Sequence, residues 1–208
     1  MDYTIVQAGE SRSFPNGDSF LASAKPDASV VIHLGTPVKP DANKAAILVE
    51  LDTECLGFHT GEAMGDEGSN IIGFARYRNG NDPPSALVEL VRQPRTPESA
   101  IAAARAAFEE AGLSVVVCTD QAGRIIDRLV RPKYNAALRL LDEGLASQPD
   151  MDLVCRLGLG YPDGLIERVV RGGLAYHHDV TKALFEVCGT PGYAPARRAV
   201  VAKQREGT

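Results

Sequence analysis

A chain of 208 residues is long enough for one large or two small domains, and 44% hydrophobic content is ordinary for a folded core. A formal net charge of −5 argues against a nucleic-acid partner, which needs clustered cationic surface to displace counterions from phosphates. No apolar run approaches the ~20 residues of a spanning helix, and the opening MDYTIVQAGE lacks the basic start and apolar middle of a secretory signal, so the expectation is a cytoplasmic protein without membrane association.

Six short β-branched runs come first: Tyr3 to Gln7, Ser29 to Leu34, Ala45 to Leu51, Asn70 to Tyr77, Ala86 to Val91 and Leu113 to Cys118. Gly, Pro and Asp separate them, which reads as strands. Between the last two lies a helix, with Thr96 as N-cap and Pro97 at its first position. Ile101, Ala104, Phe108 and Ala111 share one face, and Gly112 is the stop. Strand, helix, strand predicts a crossover with parallel pairing.

From Gly123 onward no strand signal recurs. Ile126, Val130, Tyr134, Ala137 and Leu141 fall at helical spacing up to Gly144. Pro132 removes one backbone bond inside this helix and predicts a kink, because the periodicity continues through it. Further helices are expected at Pro149 to Leu157, Gly164 to Arg171, Gly173 to Val187 and Pro195 to Gln204, the last a terminal amphipathic helix. An α/β half followed by a helical half places the boundary near Asp120 to Gly123, with domains at residues 1–120 and 121–208.

Cys55, Cys118, Cys155 and Cys188 lie mostly inside apolar runs and read as buried small hydrophobes rather than metal ligands or disulfides. His177 and His178 are adjacent on a helix, point about 100° apart, and read as surface or partly packed residues. His33 reads as a hydrogen-bonded histidine at the core edge. His59 has Glu62, Asp66 and Glu67 nearby, and a solvated acidic loop is favoured over a metal. Arg124, Arg128, Arg131 and Lys133 read as a solvated helix face or intrachain pairs, ahead of an acidic or phosphate partner.

The segments NIIGFARY, ALVELVRQPRTPESAIAAARAAFEEAGLSVVVCTD and AGRIIDRLVRPKYNAALRLLDEGLASQPDMDLVCRLGLGYPDGLIE, in that order, resemble 3-hydroxyacyl-CoA dehydrogenases over about Ser29 to Gly192. The resemblance implies a reduced Rossmann-like α/β domain with a mostly parallel sheet. An all-α dimerisation domain like the C-terminal domain of 6-phosphogluconate dehydrogenase would follow it. It also makes LGLGYPDG a connector between two helices, where glycine's access to left-handed conformations and close approach allow a corner.

Measured against that family, the cofactor end is depleted. An NAD site needs a GxGxxG turn after the first strand, so that backbone and a helix N-terminus can face the pyrophosphate. Here QAGESRSFPNGDSF follows, with Gly9 alone in place. The family interposes two strand-and-helix units before its next strand, and their removal from a 3-2-1-4-5-6 sheet leaves a continuous sheet. The position of the family's base histidine is Ala75, and the carboxylate that orients it is Glu89. The substrate-binding serine corresponds to Glu54, and the asparagine near cofactor and substrate to Asp127. Losing a general base costs about 10²–10⁴-fold in rate, whereas losing the nicotinamide removes the hydride chemistry itself.

The expectation is a family member with no cofactor of its own and no autonomous NAD-dependent activity, similar to the second half of long bacterial members. It would be a dimerising or auxiliary module, pairing through its helical half with itself or with a full-length dehydrogenase. Three alternatives stay open: an oxidoreductase whose NAD site a partner chain completes, an acyl-CoA-binding module without turnover, and new chemistry around Glu54, Glu89 and Asp127. Three carboxylates in one cleft could raise one another's pKa or bind a divalent cation.

Overall fold

The computed structural model describes residues 1–207. The chain divides into two compact units, one made of Met1–Arg78 with Pro84–Arg124, the other of Asn79–Pro83 with the chain from Ile125 onward.

The first unit is a six-stranded sheet whose spatial order follows the chain. Its strands are β1 (Tyr3–Gln7), β2 (Val30–Leu34), β3 (Ala46–Glu50), β4 (Ile71–Arg76), β5 (Leu87–Arg92) and β6 (Ser114–Thr119). Neighbours are parallel except β4 and β5, which are antiparallel. Central strands buried on both faces need continuous apolar runs, and β4 accordingly buries every residue from Ile71 to Ala75. All six strands fall where the sequence places them, and the reduced, mostly parallel sheet is the one expected.

One face is covered by two helices, α1 (Ser19–Ala22) and, joining β5 to β6, α3 (Glu98–Glu109). Ile101, Ala104 and Phe108 of α3 pack on Ile32, Leu48, Ile72 and Leu90 of the sheet. An aromatic stack completes this layer: Phe14 lies 4.3 Å from Phe20 and 6.1 Å from Phe108 between ring centroids, and Tyr3 lies 4.2 Å from Phe20. The other face carries a smaller cluster of Ile47, Val49, Leu51, Leu56, Ile71 and Val91. Pro97, not Thr96, occupies the N-cap of α3, with extended backbone and no capping side chain. The Thr96 hydroxyl instead accepts from the Gln93 backbone N–H at 3.0 Å, which ties the preceding turn and removes it from the helix end. Two four-residue helices, α1 and α2 (Gly57–Thr60), are too short to leave a periodic signal.

The second unit holds α4 (Ile125–Asp142), α5 (Gln148–Leu159), α6 (Leu165–Arg171), α7 (Leu174–Cys188) and α8 (Arg197–Glu206), with a 3-10 turn at Pro191–Tyr193. As the periodicity requires, α4 runs on through Pro132. Its core joins Tyr134, Ala137 and Leu138 of α4 to Ile166 and Val169 of α6 and to Ala196. No helix among the described residues is long and apolar enough to cross a membrane.

Five residues between β4 and β5 belong to this helical unit rather than to the sheet. Asn79 is buried and donates from Nδ2 to the Arg168 carbonyl at 3.1 Å, while Asp82 pairs with Arg171 Nε at 3.1 Å. Gly172 makes room for this excursion, since a Cβ there would stand 2.4 Å from Asn79 Oδ1. A boundary drawn at one place in the sequence misses such a crossing.

The glycine-rich connector is explained by two different constraints. Gly160 ends α5 in the left-handed region at φ 69°, which a residue with a Cβ adopts at a cost. Gly164 instead admits the buried Asp152 of α5, whose Oδ1 would lie 2.1 Å from a Cβ at that site. Asp152 Oδ1 accepts from Ile166 N–H at 2.9 Å and Oδ2 from Glu167 N–H at 3.1 Å, so α5 caps α6. Gly158 is helical and meets only Val154 Cγ1 at 3.7 Å.

Opposite outcomes follow for two alanine substitutions in one connector. Gly164→Ala should cost about 2–4 kcal/mol, from crowding and loss of the cap. Gly158→Ala should gain about 0.5–1 kcal/mol from backbone entropy. Urea unfolding followed by far-UV circular dichroism measures both.

Candidate functional site

The turn that leaves β1 is where a dinucleotide's diphosphate would rest. Gly9 is left-handed at φ 87°, but nothing lies within 4 Å of a Cβ built on it, so it marks a turn and not a close backbone approach. The next residues fold down onto the sheet. Ser11 and Ser13 are 2% exposed and Phe14 is fully buried. Ser11 Oγ and Ser13 N–H both donate to Glu50 Oε1 at 2.8 Å, and the Phe14 N–H donates to Ser11 Oγ at 2.9 Å. Arg76 of β4 clamps the same segment, donating from Nη1 to the Ser13 carbonyl at 3.1 Å and to Asp18 Oδ2 at 3.0 Å. Its guanidinium carbon sits 4.8 Å from the Phe14 ring centroid. The donors that would meet a phosphate already serve a carboxylate of the chain. The helix beyond them, α1, has only four residues and so little macrodipole to offer an anion. NAD does not fit this turn.

Ala75 and Glu89 are direct cross-strand partners on the antiparallel β4 and β5 pair. The sheet thus brings together the two positions matched to the family's base and its orienting carboxylate, with a methyl group in place of the imidazole. Glu89 is 2% exposed. Burial pushes the nearby Cys118 thiol up, opposed by the Arg124 guanidinium and reinforced by Glu89 and Asp120.

Glu54 is turned to His59, with Oε1 3.2 Å from Nε2. The loop acids expected near His59 are engaged elsewhere. Asp66 pairs with Arg95. The backbone N–H groups of Met64 and Ala63 hold the Glu67 carboxyl down at about 2. Cys55, Glu62 and Asp120 place ligand-type atoms within 4.8 Å of one another, the one such group among the described residues. Asp120 uses both oxygens on the Leu56 and Gly57 N–H groups, at 2.6 and 2.8 Å, which suits a capping residue rather than a metal ligand.

Asp127 lies on α4 and accepts from Arg131 Nε at 2.7 Å, one turn on. This carboxylate is therefore the counter-ion of a buried guanidinium, 3% exposed. Of the three carboxylates weighed together in the sequence, Glu54 faces His59, Asp127 pairs with Arg131, and Glu89 lies within the sheet.

Two further sequence readings are corrected here. Arg124 and Arg131 are buried, so the solvated-face reading fails for both while the intrachain-pair reading holds for Arg131 through Asp127, and His177 is fully buried, not a surface or partly packed residue. Its Nε2 faces Asn135 Oδ1 at 2.9 Å and its Nδ1 faces Arg131 Nη1 at 3.4 Å. Asn135 Oδ1 also accepts the Ala196 N–H, and its Nδ2 donates to the Gly192 carbonyl. An arginine can only donate, so the neutral imidazole with its proton on Nε2 satisfies every partner. His33 is half-buried, with Nδ1 2.8 Å from Thr36 Oγ1, as a core-edge histidine should be. Glu50 was the residue the sequence hid, an acid closing an apolar strand with nothing to mark its partners.

Residues 123–208 match the family of the 3-hydroxyacyl-CoA dehydrogenase C-terminal domain. Among curated proteins, the chain is 35% identical over 104 residues to the mitochondrial hydroxyacyl-coenzyme A dehydrogenase of Sus scrofa, covering 50% of this chain and 32% of that protein. It is 32% identical over 114 residues to a 3-hydroxybutyryl-CoA dehydrogenase of Mycobacterium tuberculosis, covering 54% and 40%. The matched region therefore spans about a third of the porcine protein's length. Among solved structures, the (S)-3-hydroxybutyryl-CoA dehydrogenase of Ralstonia eutropha shares the fold with a TM-score of 0.72 at 23% identity, over 86% of this chain and 66% of that one.

Burial, and then the positive charge of Arg131, pushes the His177 imidazole down to about 3. In the unfolded chain it titrates near 6.5. The native state thus disfavours the protonated form, so this contribution is complete above about pH 6.5 and shrinks as pH falls toward 3, by up to about 1.4 kcal/mol per unit. Urea unfolding at pH 7 and pH 5 should show His177→Gln losing about 2 kcal/mol less than wild type over that interval.

Proposed function

We propose that this chain, whose residues 123–208 match the family of the 3-hydroxyacyl-CoA dehydrogenase C-terminal domain, serves acyl-CoA metabolism as a dimerising or auxiliary member that does not turn over NAD on its own. The observation that carries this reading is Glu50, whose carboxylate takes the two donors of the turn after β1 at 2.8 Å. Hydride transfer belongs to the nicotinamide, so a turn that prefers its own carboxylate to a diphosphate forgoes the reaction at its first requirement. Ala75 opposite Glu89 adds the second loss, because no imidazole stands beside the retained acid. A partner chain adding residues to this turn would still find Ser11 and Ser13 engaged. That weighs against an NAD site completed in trans.

The helical unit supports the dimerising half of the reading. An apolar groove of about 530 Å³ runs along it, lined by Leu140, Leu145, Val154, Leu159 and Leu165. Leu157 is 80% exposed and Val154 63% exposed. A contiguous apolar patch of this kind on a folded chain marks an interaction surface. The occupant proposed is a second copy of this chain or a full-length dehydrogenase.

Purified protein given NAD and 3-hydroxybutyryl-CoA should produce no change at the nicotinamide absorbance, and Glu89→Gln should leave that baseline unaltered. An NADH signal abolished by Glu89→Gln would refute the reading. Sedimentation equilibrium tests the interface: the wild type should be dimeric, and Leu157→Glu with Val154→Glu should weaken association by at least about tenfold.

A further inference from the structure

The loop after β3 brings together a histidine and a carboxylate, distinct from the Ala75 and Glu89 positions. His59, at the end of α2, and Glu54 line one cleft of about 500 Å³ with Thr36, Val38, Val49 and Phe58. Glu54 Oε1 lies 3.2 Å from His59 Nε2, and its Oε2 accepts from the Asp52 N–H at 3.2 Å. The backbone that carries Glu54 is fixed in turn. Arg124 donates from Nη2 to the Glu54 carbonyl at 2.8 Å and to the Gln121 carbonyl at 2.7 Å, and Gly123 N–H donates to the Thr53 carbonyl at 2.7 Å. A base oriented by an acid, with the acid oriented by the backbone, beside a cavity, is the arrangement required for positioned proton transfer.

We propose that this cleft, which includes Glu54 at the position the resemblance matches to the family's substrate-binding serine, is a general-base site that hydrolyses small uncharged esters and needs no nicotinamide. The Nε2–H of His59 is hydrogen-bonded to Glu54 and stays on the ring, which leaves Nδ1 as the base. A water gives a proton to Nδ1 as its oxygen bonds to the acyl carbon. The adduct then collapses with cleavage of the acyl C–O bond, and the departing alkoxide takes the proton back from Nδ1. Acid and alcohol leave, the imidazole returns to its starting state, and no metal or redox partner takes part. Substrate charge is set by the walls. Glu50 and Glu54 both line the cleft and no lysine or arginine does, so anionic esters are repelled, whereas Phe58, 77% exposed, and the two valines accept an apolar group.

The test uses 4-nitrophenyl acetate as the neutral probe and 4-nitrophenyl hydrogen succinate as its anionic counterpart, with the full chain. Saturable release of 4-nitrophenolate from the acetate is expected, with a normal solvent deuterium isotope effect on kcat and slower turnover of the succinate. His59→Ala should lower kcat about 10²-fold or more. Glu54→Gln should lower kcat with KM unchanged and shift the His59 imidazole resonances, while near-UV circular dichroism of both variants stays that of the wild type. Wild-type turnover by His59→Ala would overturn the proposal. So would faster hydrolysis of the anionic ester, or a burst of one product equivalent per chain, which would make His59 a nucleophile.

Discussion

Glu50 closes β3 with its carboxylate directed at the loop leaving β1, and both the fold of that loop and the chemistry open to it depend on this contact. Two donors on one carboxylate oxygen form charge-assisted hydrogen bonds, each stronger than a neutral pair, and they draw Ser11 and Ser13 below the surface. Once those residues are down, Phe14 enters the aromatic layer between Phe20, Phe74 and Phe108, and Arg76 can clamp Ser13 to Asp18. Polar and apolar forces therefore agree on one conformation of the turn. A phosphate would have to displace an anion already held by the covalent chain, and would uncover buried aromatic surface in doing so.

Local neutralisation also governs the other polar positions. In a medium of low dielectric a buried charge is tolerated when paired and hydrogen-bonded, and Arg131 meets this condition through Asp127. Asp127 serves Arg131 within one turn of α4, and Glu54, half-buried just before α2, serves His59 within it. Asp120 serves two backbone donors at the start of that short helix. His177 extends the pattern without any charge: its neutral form fits between a donor-only arginine and an accepting asparagine.

Much of the fold was legible because its signals are local. Parallel strands buried on two faces leave continuous runs such as Ile71 to Ala75, and the helices of the second unit leave a repeat that survives Pro132. Thr96 was misread because a hydroxyl can cap a helix or tie a turn, and the choice depends on Gln93. The register that sets Ala75 opposite Glu89 follows from the two strands the sequence marks. The partners of Glu50 lie 37 and 39 residues away along the chain, and Glu54 meets His59 because the chain turns into a four-residue helix that carries His59. No periodicity records contacts of that kind.

The five-residue excursion between β4 and β5 has a bearing on how such chains can be cut and rejoined. The helical unit is built from two stretches of polypeptide, and Asn79 supplies the partner of the Arg168 carbonyl from the far side of a strand boundary. A gene fragment beginning at Ile125 would encode every helix yet leave that carbonyl without its side-chain partner, and Gly172 would border a hole where Asn79 had stood. A helical unit cut at Ile125 would therefore lack a buried piece of its own packing.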